Sequence, residues 1–236
     1  MPLLLLVAMV ALVGWVDGGP LPGLLAAALA LAIVVRTVRR AIDRSLPREP
    51  SVEPLAEVDL LPATAARIRD LRALGFEPLG GPHVANLSPA PVVVPFVHRS
   101  AGVLAAVYQV QNPVERSVLD FVTTFASGAM LTTASSREAA TLPLPPRCFL
   151  QTVHDADTAA LLERHRQGMA TLQHRGERPR ATAATTLAEY LQRLVACLRD
   201  QRAAFERAPL RTTLTALLRS LLRLDPARGP LQPRQV

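Results

Sequence analysis

Hydrophobic and polar positions change rhythm three times along this chain, and each rhythm predicts a different kind of structure. Residues 3–16, LLLLVAMVALVGWV, and 21–35, LPGLLAAALALAIVV, carry no charge, and Asp17-Gly18-Gly19-Pro20 lies between them. Backbone groups in lipid must bond within their own segment, so each run is helical if it enters a bilayer. One helix through both would run to about 35 residues, well beyond the roughly 20 that a bilayer core needs. The Asp-Gly-Gly-Pro sequence is a turn signal. The pattern therefore predicts a transmembrane helical hairpin over residues 1–40, with spans at about 3–17 and 21–38. A single span or a cleaved secretory signal competes with it. Against a signal stand an amino terminus without basic residues and the arginines that follow the second run at once.

Those arginines are Arg36, Arg39, Arg40, Arg44 and Arg48, set against Asp43 alone. Basic residues beside a span resist translocation, so residue 36 onward is expected in the cytoplasm. The expected location is a bacterial inner membrane, multi-pass, with both termini cytoplasmic. Residues 41–61 then read as a linker, first basic and later acidic: EPSVEPLAEVDLL at 49–61 holds four acids and no arginine.

Residues 62–208 predict an α+β domain. PATAARIRDLRALGF is helical, with Pro62 at its start, Gly75 as the left-handed terminator and Ile68, Leu71 and Leu74 on one face. From 90 to 153 the rhythm shortens to that of strands: 91–97, 103–110, 117–126, 129–135 and 148–153. Leu119, Phe121 and Phe125 alternate with Asp120, Val122 and Thr124, as in a sheet covered on one side. Ser127-Gly128 reads as a two-residue hairpin turn. The short connections predict an antiparallel β-meander covered by helices. DADTAALLERHRQGMATLQH is helical again, capped by Asp155 or Asp157, with Leu162, His165, Met169 and Leu172 on one face. A longer helix follows over about 184–207, with Leu187, Leu191, Leu194, Leu198 and Phe205 in steps of three and four.

Residues 209–224 form an amphipathic basic helix. Leu210, Leu214, Leu217, Leu218, Leu221 and Leu224 gather on one side, with Arg211, Arg219 and Arg223 around them. Contact of residues 210–224 with anionic lipid is one expectation, and packing against the domain is the other. Residues 225–236 read as a disordered tail.

Composition sharpens this picture more than it changes it. The 236 residues are half hydrophobic but only 4% aromatic, and carry a net charge of +7. All 26 basic residues are arginine. Twelve of them lie from residue 175 onward against five acids, so basic charge sits beside the apolar start and again at the end. Stacking aromatics are missing from the basic stretches, which argues against nucleic acid as a partner. Cys148 and Cys197 fit neither a disulfide framework nor a zinc pattern.

The nearest approach to a metal site is His154-Asp155-Ala156-Asp157 with His165 beyond it. The aspartates are equally expected as helix caps, and His165 lies on an apolar face where a buried, hydrogen-bonded core histidine is the plain reading. Ser100 beside His98 lacks an acid partner and a nucleophile elbow. Neither Gly80-Gly81 nor Ser127-Gly128 fits a phosphate-cradling loop. No residue is assigned a catalytic, cofactor-binding or metal-binding role, and no cofactor is expected.

Four stretches follow in order: LRALGFEPLG, FVHRSAGVLAAVYQV, DFVTTFASGAMLTTASS and LLERHRQGMATL. Over residues 65–175 they resemble a family of uncharacterised bacterial membrane-associated proteins, with Ser127 where that family often has aspartate. The resemblance implies a fold and no chemistry. The expected function is a membrane-anchored cytoplasmic binding or scaffolding module, non-catalytic, with the lipid bilayer and an unknown protein as partners. The alternative is a membrane-associated enzyme, for instance a metal-dependent hydrolase, using His98, His154 or His165.

Overall fold

The computed structural model describes residue 16 and residues 20–111, 115–136, 144, 147–154, 156–180 and 185–222, with side chains as far as residue 217. These divide into two compact units. One gathers the first helix up to Arg44 with the helix that follows Ala208; the other runs from Ser45 to Arg207.

In the first unit, α1 spans Pro20–Ser45. It is one helix long and apolar enough to cross a membrane, by length and composition. The helix does not stop where the apolar run stops: it carries Arg36, Arg39, Arg40 and Arg44 on the same rod. The expected first span at 3–17 lies outside the described residues, apart from Val16, so the structure shows one such helix and no two-helix hairpin. The other helix of this unit, Pro209–Leu222, leaves Leu210 and Leu214, one turn apart, exposed. Residues 225–236, expected as a tail, are likewise outside the described residues.

The second unit is α+β, built on an eight-stranded mixed sheet. Its strands are β1 (Val52–Pro54), β2 (Glu77–Pro78), β3 (His83–Ala85), β4 (Val92–His98), β5 (Val103–Val110), β6 (Arg116–Thr124), β7 (Met130–Ala134) and β8 (Cys148–Thr152). They lie in the order β1-β3-β4-β5-β6-β7-β8, with β2 also on β4. Residues 52–54, expected within a linker, are thus an edge strand paired with β3. Asn86 ties the preceding chain down, its Oδ1 accepting from Ser51 N and its Nδ2 donating to Glu49 O.

The meander expectation holds from β4 to β7, which pair antiparallel in succession. It fails at β8, which pairs parallel to β7 from Met130↔Cys148 to Ala134↔Thr152. A parallel neighbour cannot be reached through a tight hairpin and needs a longer connection. The Ser127-Gly128 turn is also longer than two residues. Phe125 N donates to Ala129 O and Gly128 N to Phe125 O, leaving a three-residue loop closed by Gly128 at φ 83°. Such a loop needs the left-handed residue last, and glycine takes that conformation without steric cost.

Four helices complete the described elements of the chain besides α1, three of them in this unit: α2 (Pro62–Ala73), α3 (Thr158–His174) and α4 (Leu187–Arg207); the helix Pro209–Leu222 is α5. The end of α2 follows from its sequence. Phe76 N donates to Leu71 O and Gly75 N to Arg72 O, with Gly75 at φ 85°, and Phe76 folds back into the core. Asp157 caps α3 by accepting from Ala160 N at 2.7 Å, whereas Asp155 lies outside the described residues. Thr186 and Glu189 cap α4 reciprocally, each side chain accepting from the other's backbone N–H.

Both faces of the sheet are covered, a correction to the one-sided expectation. On the first face Phe96, Ala105, Val107, Leu119, Phe121 and Leu131 pack against Ile68 and Leu71 of α2 and Leu161, Leu162 and Leu172 of α3. On the second, Val93, Val97, Leu104 and Ala106 pack against Tyr190, with Leu191 and Leu194 of α4 beside them. Alternation along β6 sends Leu119, Phe121 and Thr123 to the first face and Asp120 and Val122 to the second. The second face is thinner in apolar residues, which is why its strand pattern looked half solvated.

Candidate functional site

The three histidines named from the sequence occupy unrelated places. His165 is fully buried on α3 between β6 and β7. Thr133 Oγ1 lies 2.8 Å from its Nδ1 and Thr123 Oγ1 lies 3.0 Å from its Nε2. Thr123 in turn donates to Gly102 O at 3.3 Å. One proton arrangement satisfies the chain: Thr133 donates to Nδ1, and Nε2–H donates to Thr123. Burial lowers the imidazole pKa to about 3, so the ring is neutral. This is the core histidine that the apolar face of α3 predicted, with no lone pair left for a metal.

His98 ends β4 at the hairpin to β5. Its Nδ1 accepts from Ala101 N at 3.3 Å, with Ser100 Oγ at the same distance. Its ring stands edge-on to Phe76, 5.2 Å between centroids. Phe76 meets Phe121, and Phe121 meets His165, so two phenylalanine rings separate the two histidines. His154 is half-buried at the junction of β8 and α3. Among the described residues no three of His, Cys, Asp and Glu come together as a metal would require.

A second polar group lies under α4. Asp120 faces the second side of the sheet, and its Oδ1 is shut away from solvent without a hydrogen-bond partner. Burial pushes its carboxyl up to about 7, against the pull of Arg67. Tyr108 and Tyr190 share a hydrogen bond nearby, and burial raises both phenols. Cys197 is pushed up to about 12 by burial, with Cys148 and Asp200 adding to the shift. Its thiol is therefore held protonated at neutral pH. These groups form a partly buried polar seam beneath α4.

The open feature lies on the first face, beside α2 and the middle of β4. A groove of about 510 Å³ runs there, lined by Val58, Leu60, Ile68, Phe96, Arg69 and Arg72 together with Val94 and the small residues Ala65, Pro78, Gly80 and Pro82. Its far wall exists because of Gln109. That carboxamide is buried on β5, donates to Asp59 O and accepts from Leu61 N, both at 2.8 Å, and so clamps the incoming chain across the sheet. In the clamped segment Val58 and Leu60 line the groove, while Glu57 and Asp59 alternate with them and are exposed. On α2 the lining positions 65, 68, 69 and 72 form a single helical stripe. Sequence reasoning missed this site. Its only local signal is that two arginines share a stripe with the apolar Ala65 and Ile68.

Compared with protein-family models, with curated proteins and with solved structures, the chain matches none. The resemblance over residues 65–175 therefore gains no support from them, and the reading of the site rests on its geometry.

Proposed function

We propose that this protein is a membrane-tethered cytoplasmic binding module that catalyses no reaction. The observation that carries the reading is α1. Its Leu21, Leu24, Leu25 and Leu29 are between 64% and 68% exposed, and the same helix continues into Arg36, Arg39, Arg40 and Arg44. A contiguous apolar surface of that length is costly in water and is covered by a bilayer core. The arginines then sit at the headgroups and set residue 36 onward on the cytoplasmic side. A second span at about 3–17 puts the amino terminus on that side as well, giving a multi-pass anchor. On α5 the exposed Leu210 and Leu214 flank the exposed Arg211, a pattern suited to an anionic leaflet. The non-catalytic part of the reading draws on His165, whose ring nitrogens are both engaged inside the core, and on His98, whose Nδ1 holds a turn.

Topology reporters test it. A cytoplasm-dependent reporter fused after Val236 is expected to be active, and the full chain is expected to stay with membranes after alkaline carbonate extraction. An active periplasm-dependent reporter at the same position overturns the orientation. Release by carbonate overturns the tether. Replacing Arg36, Arg39, Arg40, Arg44 and Arg48 by glutamine is expected to mix the two orientations.

A further inference from the structure

We propose that the groove beside α2 is a binding site for a long-chain carboxylate, with the acyl chain along the apolar floor and the carboxylate between Arg69 and Arg72. The inference deepens the tethered-module reading, since a membrane anchor keeps the domain beside a source of acyl chains. Three observations carry it. The floor and walls are hydrocarbon: Val58 and Leu60 on one side, Ile68 on the other, Phe96 beneath. The volume of about 510 Å³ is in the range of small-ligand sites. The charged residues of the lining are Arg69 and Arg72 alone, three positions apart on one helix and both exposed.

Charge complementarity selects an amphipathic anion. Two guanidiniums on successive turns present forks that a single carboxylate accepts from both sides. The acids nearby do not quench them from within. Glu57 and Asp59 alternate out of the wall, and Asp70 accepts from Thr158 Oγ1 of α3 at 3.0 Å. A peptide fits less well, because no lining side chain offers an acceptor to a peptide N–H. Apolar floor and paired cations together describe a fatty acid more closely than a purely apolar or a purely anionic ligand.

Photolabelling of the full chain in its membranes tests the assignment. The probe is palmitic acid carrying a diazirine on its chain, and the control is the same molecule as its methyl ester. The acid is expected to label the tryptic fragments covering residues 49–67 and 73–99 about tenfold more than the ester does. Unlabelled palmitate is expected to compete the label away. Arg69→Gln with Arg72→Gln, both on the surface and outside the core, is expected to bring acid labelling down to the ester's level while protease resistance is unchanged. Equal labelling of these fragments by acid and ester overturns the site, as does label insensitive to the arginine pair. Label in α1 reads membrane insertion separately: an unlabelled groove beside a labelled α1 sinks the site and leaves the tether, whereas an unlabelled α1 in a carbonate-soluble chain sinks the tether itself.

Discussion

On one face of the sheet His165 has a hydroxyl on each ring nitrogen; on the other Asp120 has a carboxylate oxygen enclosed and unpaired. The two positions are neighbours in construction, since Thr123, which holds His165, lies three residues beyond Asp120 on the same strand. They differ because the first face is closed by two helices carrying large apolar residues, and the second by one helix whose buried contact is Tyr190, against Tyr108 of β5. A buried polar group with every partner supplied stays in one protonation state across the physiological range. One left unpaired is held protonated by desolvation alone and titrates as the medium changes.

The largest effect is expected on the well-packed face. Phe121 is fully enclosed and touches both Phe76 and His165. Phe121→Ala is expected to cost roughly 3–5 kcal/mol, because the rings around it close only partly over the cavity. Pulse proteolysis of the full chain in detergent micelles, at increasing urea, measures it; an unchanged midpoint breaks the assignment of that face.

Acid–base linkage sharpens the comparison further, since the two faces respond to pH with opposite signs. His165 sits at about 3 in the fold against an ordinary 6.5. Its contribution is complete above 6.5 and is lost as pH falls towards 3, because the unfolded chain then binds the extra proton. Asp120 sits at about 7 against an ordinary 3.8. Its contribution is complete below 3.8 and is lost as pH rises through about 7. Between pH 4.5 and 6.5 the two slopes, each about 1.4 kcal/mol per pH unit, oppose one another. Relative to the wild type, Asp120→Asn is therefore expected to gain stability as pH rises through this window, and His165→Gln to lose it. Urea midpoints at half-unit pH steps decide the matter. If either difference curve is flat, that residue is not in the state assigned to it.

A smaller effect tests how α3 is seated. Gly168 faces β7 and β8 so closely that a Cβ there would lie 1.8 Å from Gln151 Nε2 and 3.0 Å from Leu131 Cδ2. Gly168→Ala is expected to cost about 1–3 kcal/mol, less whatever helix propensity returns. A gain in stability would mean that α3 stands further from the sheet than the packing implies.

Where structure follows from neighbouring residues the sequence was mostly readable, the length of the Ser127-Gly128 turn excepted. The charge-free run into the arginines of α1, the alternation along β6, the Leu-Gly-Phe end of α2, the Asp157 cap and the buried side of α3 all depend on contacts within a few turns or one strand. Periodicity, capping and left-handed glycines encode those directly. By itself, then, the sequence determined an α+β domain, an apolar helix ending in arginines, and a histidine inside the core. What only the tertiary structure decided lies across long separations. Pairing β8 parallel to β7 depends on how a crossover returns, and residues 52–54 join the sheet only because β3 and Asn86 lie beside them. Arg202, a surface residue by composition, is buried because Leu46 O, 156 positions away, accepts from it. The groove likewise exists because Gln109 reaches back 48 and 50 residues to hold the chain that walls it. Each of these joins groups that share no local pattern, and their energies appear only when the chain has already folded around them.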